Sequence, residues 1–200
     1  MNYDHSIYLQ QVGLKLLGFA PGPLDGQDGR RTRAAFNESL PSSETGKAST
    51  TALMLVELAT GEIGVRELPI NSNRGRRVEE FQSATWLDGT GWAWCAAFIC
   101  WLCREAGVKD RPQTAGAWDF ERWARKSSTP GQLLDPNDEQ VRAGDILVYT
   151  FSHIGLASAN QVGDSVKVIE GNTDSSGGRE GGGVYARSRS TRQIRSIIRI

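Results

Sequence analysis

The sequence predicts an α+β fold, with helices packed on an antiparallel sheet and a small helical domain in front. Three observations lead there. Helical apolar spacing recurs up to about residue 125, and short strand-like runs broken by polar turns replace it from Asp145 onward. Between them and the N-terminus lies "LPSSETGKAST", a stretch of linker composition. Helices first and strands afterwards argue for segregated layers. The expected division is a small helical domain at 1–43, a linker at 44–50 and a larger domain at 51–200. With 200 residues, 38% of them hydrophobic, the chain can bury a real core.

Residues 5–18 read as an amphipathic helix, with Ile7, Val12, Leu16 and Leu17 near helical spacing and Gly18 as the stop. The Pro/Gly-rich "FAPGPLDGQDG" gives a loop, and a short helix is expected around Thr32 to Glu38. "TTALMLVELATG" is apolar nearly all round and suits a buried helix. Residues 94–106 read as a helix ending at Gly107, with another around Ala117 to Arg125. "DILVYT", "HIGLASA" and "VKVIEG" are the first strand-like runs; "VYARSR" and "QIRSIIRI" follow a Gly-rich loop, "SSGGREGGG".

Formal net charge is zero, which points to neither nucleic acid nor a membrane surface as partner. Five arginines, Arg187, Arg189, Arg192, Arg195 and Arg199, crowd the last strands without a stacking platform of aromatics. Solvated strand faces, or contacts to carboxylates of a substrate, account for them. The N-terminus shows no secretory signal, and no run approaches the ~20 apolar residues that span a bilayer. A soluble, cytoplasmically made, monomeric protein is the expectation. "GREGGG" lacks the dinucleotide-binding order and precedes a strand, so it reads as a mobile loop.

All three cysteines, Cys95, Cys100 and Cys103, lie in "GWAWCAAFICWLCREAG". Zinc would need four ligands, and the chain offers one C-x-x-C and two histidines, so no metal or other cofactor is expected. Cys100 and Cys103, mid-helix among large apolar residues, read as core. Cys95 opens the helix, where unpaired backbone N–H groups can stabilise negative charge. Position alone leaves Cys95 open between a core thiol and a nucleophile.

A cysteine nucleophile needs a base, and His153, at the start of a strand-like run, is the histidine outside the N-terminal segment. A third group should orient the imidazole. Period-two alternation puts Val166, Val168 and Glu170 on one face, and Asn172 follows two residues on. Taken singly, Glu170 could be a strand-end charge and Asn172 a turn residue.

These residues carry a resemblance. "WCAAF" around Cys95, "RAGDILVY" running into "SHIGLA" with His153, and "VIEGNT" with Glu170 and Asn172 resemble the CHAP family of cysteine, histidine-dependent amidohydrolases/peptidases and its NlpC-type relatives. The resemblance implies a papain-like fold over roughly residues 50 to 200 and cleavage of peptidoglycan amide bonds. It implies Cys95 as nucleophile, His153 as general base and acid, Glu170 as its orienting partner, Asn172 as a further site residue, and Trp92 and Trp94 as candidate substrate contacts. Some members bind calcium before the cysteine; here Asp88 is the only carboxylate in that loop, and no metal is carried over. Residues 1 to about 43, "LQQVGLKLLGFAPGPLDGQDGRRTRAAF" among them, are similar to the first half of a three-helix peptidoglycan-binding domain whose second half is short or absent. Together these imply an endolysin-type wall hydrolase, with a bacterial remodelling enzyme, a secreted antibacterial effector or a non-catalytic wall-binding protein as alternatives. A helical lid or a structural extension is the alternative role for the N-terminal segment.

Overall fold

The protein is described from a computed structural model covering residues 4–27, 29, 31–32, 35–36 and 49–200. The expected domain boundary at 43/44 lies outside the described residues. So does part of the helix expected around Thr32, of which helical backbone is described at 31–32 and 35–36.

Helix α1 spans His5–Leu16, and Asp4 caps it by accepting from the N–H groups of Ser6 and Ile7 at 2.8 and 3.1 Å. Its apolar face differs from the expected one: Leu14 and Leu17 are buried, whereas Leu16 is 62% exposed. Gln11, also on that face, is a buried polar strut. Its amide donates to Asp25 Oδ1, the Gln27 carbonyl and Thr32 Oγ1, each at 3.0 Å, and accepts from the Asp25 and Gly26 N–H groups. Helix α1 is thereby tied to the L-D-G loop that follows it.

Helix α2, Thr50–Gly61, is capped by Ser49 and buries Leu55, Val56 and Ala59 while exposing Met54, so it is one-sided rather than apolar all round. Its C-terminal turn receives α1. A Cβ on Gly13 would lie 2.8 Å from Ile63 Cδ1 and 3.0 Å from the Thr60 carbonyl, a closeness that only glycine permits. Lys167 Nζ, from the sheet, donates to the Leu17 carbonyl and lies 5.3 Å from the Phe19 ring. The N-terminal segment is thus packed onto the larger unit rather than tethered beside it.

Three short elements were not expected from the sequence: helix α3, Arg76–Gln82, strand β1, Gln132–Leu134, and a 3-10 turn, Thr191–Gln193. Helix α4, Cys95–Glu105, and helix α5, Asp119–Ala124, fall where helical spacing put them. The remaining strands are β2 (Ile146–Tyr149), β3 (Ile154–Ala157), β4 (Ser165–Thr173), β5 (Gly183–Ser190) and β6 (Ile194–Arg199). All neighbours in the sheet are antiparallel, in the order β1-β6-β2-β3-β4-β5. The α+β architecture, helices on an antiparallel sheet, is the one expected.

The sheet is buried on both faces. Ile146, Val148, Ile154, Leu156 and Ile169 face the helices, where every residue of α4 from Cys95 to Cys103 is buried. Leu147, Tyr149, Val166, Val168, Ile194 and Ile197 form a second apolar cluster on the opposite face. The late arginines are not simply solvated. Arg195 binds Glu121 at 2.8 Å, and Arg199 binds Asp145 at 2.8 Å. The glycine loop is tied down as well: Asp174 Oδ1 accepts from the N–H groups of Ser176, Gly177 and Gly178, and Thr173 Oγ1 donates to the Gly178 carbonyl.

Candidate active site

The loop before α4 turns at Gly89 and Gly91, both at positive φ, and delivers Cys95 to the first position of the helix. No side chain caps α4 in the usual way. Instead Asn172, at the end of β4, accepts the Trp94 backbone N–H on Oδ1 at 3.0 Å. The Asn172 amide nitrogen donates to Asn73 Oδ1, the Gly181 carbonyl and Glu67 Oε1 at 3.0, 3.2 and 3.4 Å. Gln82, from α3, donates to the Asn73 and Trp92 carbonyls. The start of α4 is therefore held from several sides, and the N–H groups of its first turn have no carbonyl of their own helix to pair with.

Trp94 is a correction to the sequence reading. Its indole is fully buried and donates to Glu67 Oε1 at 2.8 Å, so it faces the interior and offers no surface to a substrate. It stacks on Phe81, with ring centroids 5.6 Å apart. Trp92 is half-buried, its indole N–H donating to the Gly89 carbonyl at 3.2 Å.

His153 ends the turn between β2 and β3, with its imidazole stacked on Tyr149 and Phe151 at 5.9 and 6.1 Å. Nε2 lies 3.2 Å from Glu170 Oε2. An ionised carboxylate only accepts, so Nε2 carries the proton and Nδ1 is left as the basic nitrogen. Nδ1 is buried and has no hydrogen-bond partner. The thiol of Cys95 is the group that acts on the imidazole beside Glu170. Burial disfavours the charged ring, but Cys95 and then Glu170 overcome it and raise the His153 pKa to about 9.

Glu170 shares the face of Val166 and Val168, as alternation predicts, and is fully buried. Burial works to raise its pKa; the bonds from Arg189 and then His153 prevail and hold it at about 2. Four hydrogen bonds converge on this carboxylate. Tyr149 Oη and Arg189 Nε donate to Oε1 at 2.6 and 2.8 Å, and Arg189 Nη2 donates to Oε2 at 2.6 Å beside His153. Arg189 was expected on a solvated strand face or on substrate, and it is neither. Cys100 and Cys103 are core thiols, as expected: burial pushes Cys100 up to about 12 and Cys103 higher still. Cys95 keeps 6% exposure and His153 none.

A buried imidazole with one nitrogen on a carboxylate and the other free beside a helix-opening thiol is the arrangement of a cysteine nucleophile and its base. Residues 87–172 match the CHAP domain family model. The match implies a cysteine-dependent amidase or peptidase acting on peptidoglycan, and it runs from the loop before α4 to Asn172. No curated protein and no solved structure matches the chain. Outside the CHAP match, Glu67, Gln82 and Arg189 were missed by the sequence reading, although each touches a residue that holds the site. Among the described residues no helix is long and apolar enough to cross a membrane, and no group of three or more His, Cys, Asp or Glu could hold a metal ion.

Proposed function

We propose that this protein is an endolysin-type peptidoglycan hydrolase whose CHAP domain cleaves an amide bond, either the sugar–peptide linkage or one within the stem peptide. The observation that carries the reading is the His153 ring, with Nε2 on Glu170 and Nδ1 left to Cys95. Cys95 passes its proton to Nδ1, and the sulfur attacks the amide carbonyl to form a carbon–sulfur bond. First-turn N–H groups of α4 stabilise the oxyanion. Collapse breaks the carbon–nitrogen bond, and imidazolium gives its proton to the leaving amine. Water, deprotonated by His153, then hydrolyses the thioester and regenerates the thiol. Residues 1–43 are read as a wall-binding unit that concentrates the enzyme on the insoluble polymer.

The test is digestion of purified peptidoglycan with mass spectrometry of the products. Wild type and Cys103→Ala should release the same fragments, and the new termini identify the bond cut. Cys95→Ala, shown to be folded by circular dichroism, should release none. Lysis by folded Cys95→Ala at the wild-type rate would overturn the nucleophile assignment.

A further inference from the structure

Arg189 has the burial and the bonds of a component of the site, yet it lies beyond the CHAP match and touches neither thiol nor imidazole in a hydrogen bond. Its guanidinium grips Glu170 as a fork, Nε on one oxygen and Nη2 on the other at 2.8 and 2.6 Å. The fork is itself fixed. The Tyr149 and Phe151 rings lie beneath it, each centroid 5.2 Å from Cζ, and the Gly177 carbonyl accepts from Nη1 and Nη2 at 3.4 Å. Those same two rings stack on His153. The charged or titratable groups around Glu170 are thus Arg189 from β5, Tyr149 from β2, His153 from the turn after β2 and, through His153, Cys95 from α4.

Resting on the proposed cysteine mechanism, we propose that Arg189 is a positioning residue for the reaction, clamping Glu170 in one ionised orientation so that Glu170 holds His153 with Nδ1 toward Cys95. A carboxylate bound to His153 alone could rotate either oxygen toward the ring, or take up a proton and cease to fix the tautomer. The arginine closes both routes. Two donors in a fixed plane remove the rotation, and a cation at hydrogen-bond distance opposes protonation. Stability alone is a weak reason for the ion pair, because apolar residues of similar volume commonly replace buried pairs at no loss. The glycine loop is drawn into the device through Gly177.

The experiment compares Arg189→Lys and Arg189→Met by kcat and KM on a soluble muropeptide across pH, and by NMR titration of the His153 ring. The chain has two histidines, so a His5→Gln background assigns the signal. Arg189→Lys keeps the charge and loses the fork. Turnover should fall ~10-fold or more with KM unchanged and the acid limb of the profile in place. Arg189→Met also loses the charge. Removing a cation raises the proton affinity of the Glu170–His153 pair, so the acid limb and the His153 midpoint should both move up, by about one pH unit or more. Wild-type turnover in folded Arg189→Lys, or an unmoved His153 midpoint in folded Arg189→Met, would make Arg189 a structural strut and overturn the proposal. If Arg189→Met does not fold, Arg189→Lys decides alone. The NMR readout needs no turnover. A wild-type chain inert on every wall substrate would therefore count against the proposed function, whereas an unmoved midpoint counts against Arg189.

Discussion

A single methyl group placed on Gly155 should disable the enzyme without touching the thiol or the imidazole. Gly155 lies in β3, and a Cβ there would stand 2.7 Å from Glu170 Cγ, 2.8 Å from Tyr149 Oη and 3.4 Å from Glu170 Oε1. Carbon atoms in contact settle at about 3.5–4.0 Å, so Glu170 must retreat by about 1 Å. The His153–Glu170 bond is already 3.2 Å long, and a retreat of that size breaks it or turns the ring. Misplacing a catalytic group by this much costs roughly 100-fold in rate, and overpacking a buried site costs about 1–3 kcal/mol. Gly155→Ala should therefore fold, melt a few degrees lower and turn over a soluble muropeptide ~100-fold more slowly with little change in KM. Steady-state kinetics and a thermal melt measure both effects. A Gly155→Ala protein with wild-type kcat would refute the claim that the exact seat of Glu170 governs the imidazole.

With His153 raised to about 9, the imidazolium needed to protonate the leaving amine survives to unusually high pH, so kcat/KM should decline above about pH 9. A fall centred on the ordinary imidazole value of 6.5 would contradict the Glu170 and Cys95 contacts. The stability linked to the raised His153 is fully present below pH 6.5 and is lost as pH rises through about 9; that linked to Glu170, depressed to about 2, is present above 4.5 and is lost as pH falls through about 2. Thermal melts across pH check both windows. Deleting residues 1–43 should slow lysis of intact sacculi ~10-fold or more through lost local concentration, while a soluble muropeptide is cleaved at the wild-type rate below the melt. The melt itself should fall by several degrees, because Gly13 no longer covers Thr60 and Ile63 and Lys167 loses the Leu17 carbonyl. Equal loss on both substrates would show a purely structural extension, and a gain on the small one a lid.

What was legible in the sequence was local. Helix α4 announces itself by unbroken apolar residues after a glycine turn, and the strands by short apolar runs; Cys95 opens α4, His153 immediately precedes β3, and Glu170 and Asn172 lie in the last four residues of β4. Helix α3 went unseen because "RRVEEFQ" shows only Val78 and Phe81 at helical spacing, and β1 because three residues at a sheet edge carry little pattern. The side chains that hold the site were missed for another reason: their partners are remote in sequence. Even the right strand pairing would have misled, since Arg189 stands opposite Val166 and Tyr185 stands opposite Glu170. Arg189 reaches the carboxylate only by the length of its side chain. Trp94 was misread because a neighbour of the nucleophile is assumed to face the cleft, whereas its indole turns inward to Glu67.

Three consecutive residues of β4 tie the imidazole and the helix that carries the thiol to one strand end. Glu170 points to the far face of the sheet and holds His153. Gly171 points to the helix face, where a Cβ would lie 2.7 Å from Trp94 Cζ3 and 2.9 Å from Phe98 Cβ and Cγ, so α4 rests directly on the strand backbone. Asn172, at φ +56, turns its side chain back to accept the Trp94 N–H immediately before Cys95. One strand end thus fixes the base from one face and the helix carrying the nucleophile from the other. Any displacement of β4 moves both groups together, which preserves their separation. The alternation of a strand makes this possible, because neighbouring residues face opposite sides of the sheet. Reversing Glu170 and Gly171 would put a carboxylate under Phe98 and leave His153 with no partner from this strand.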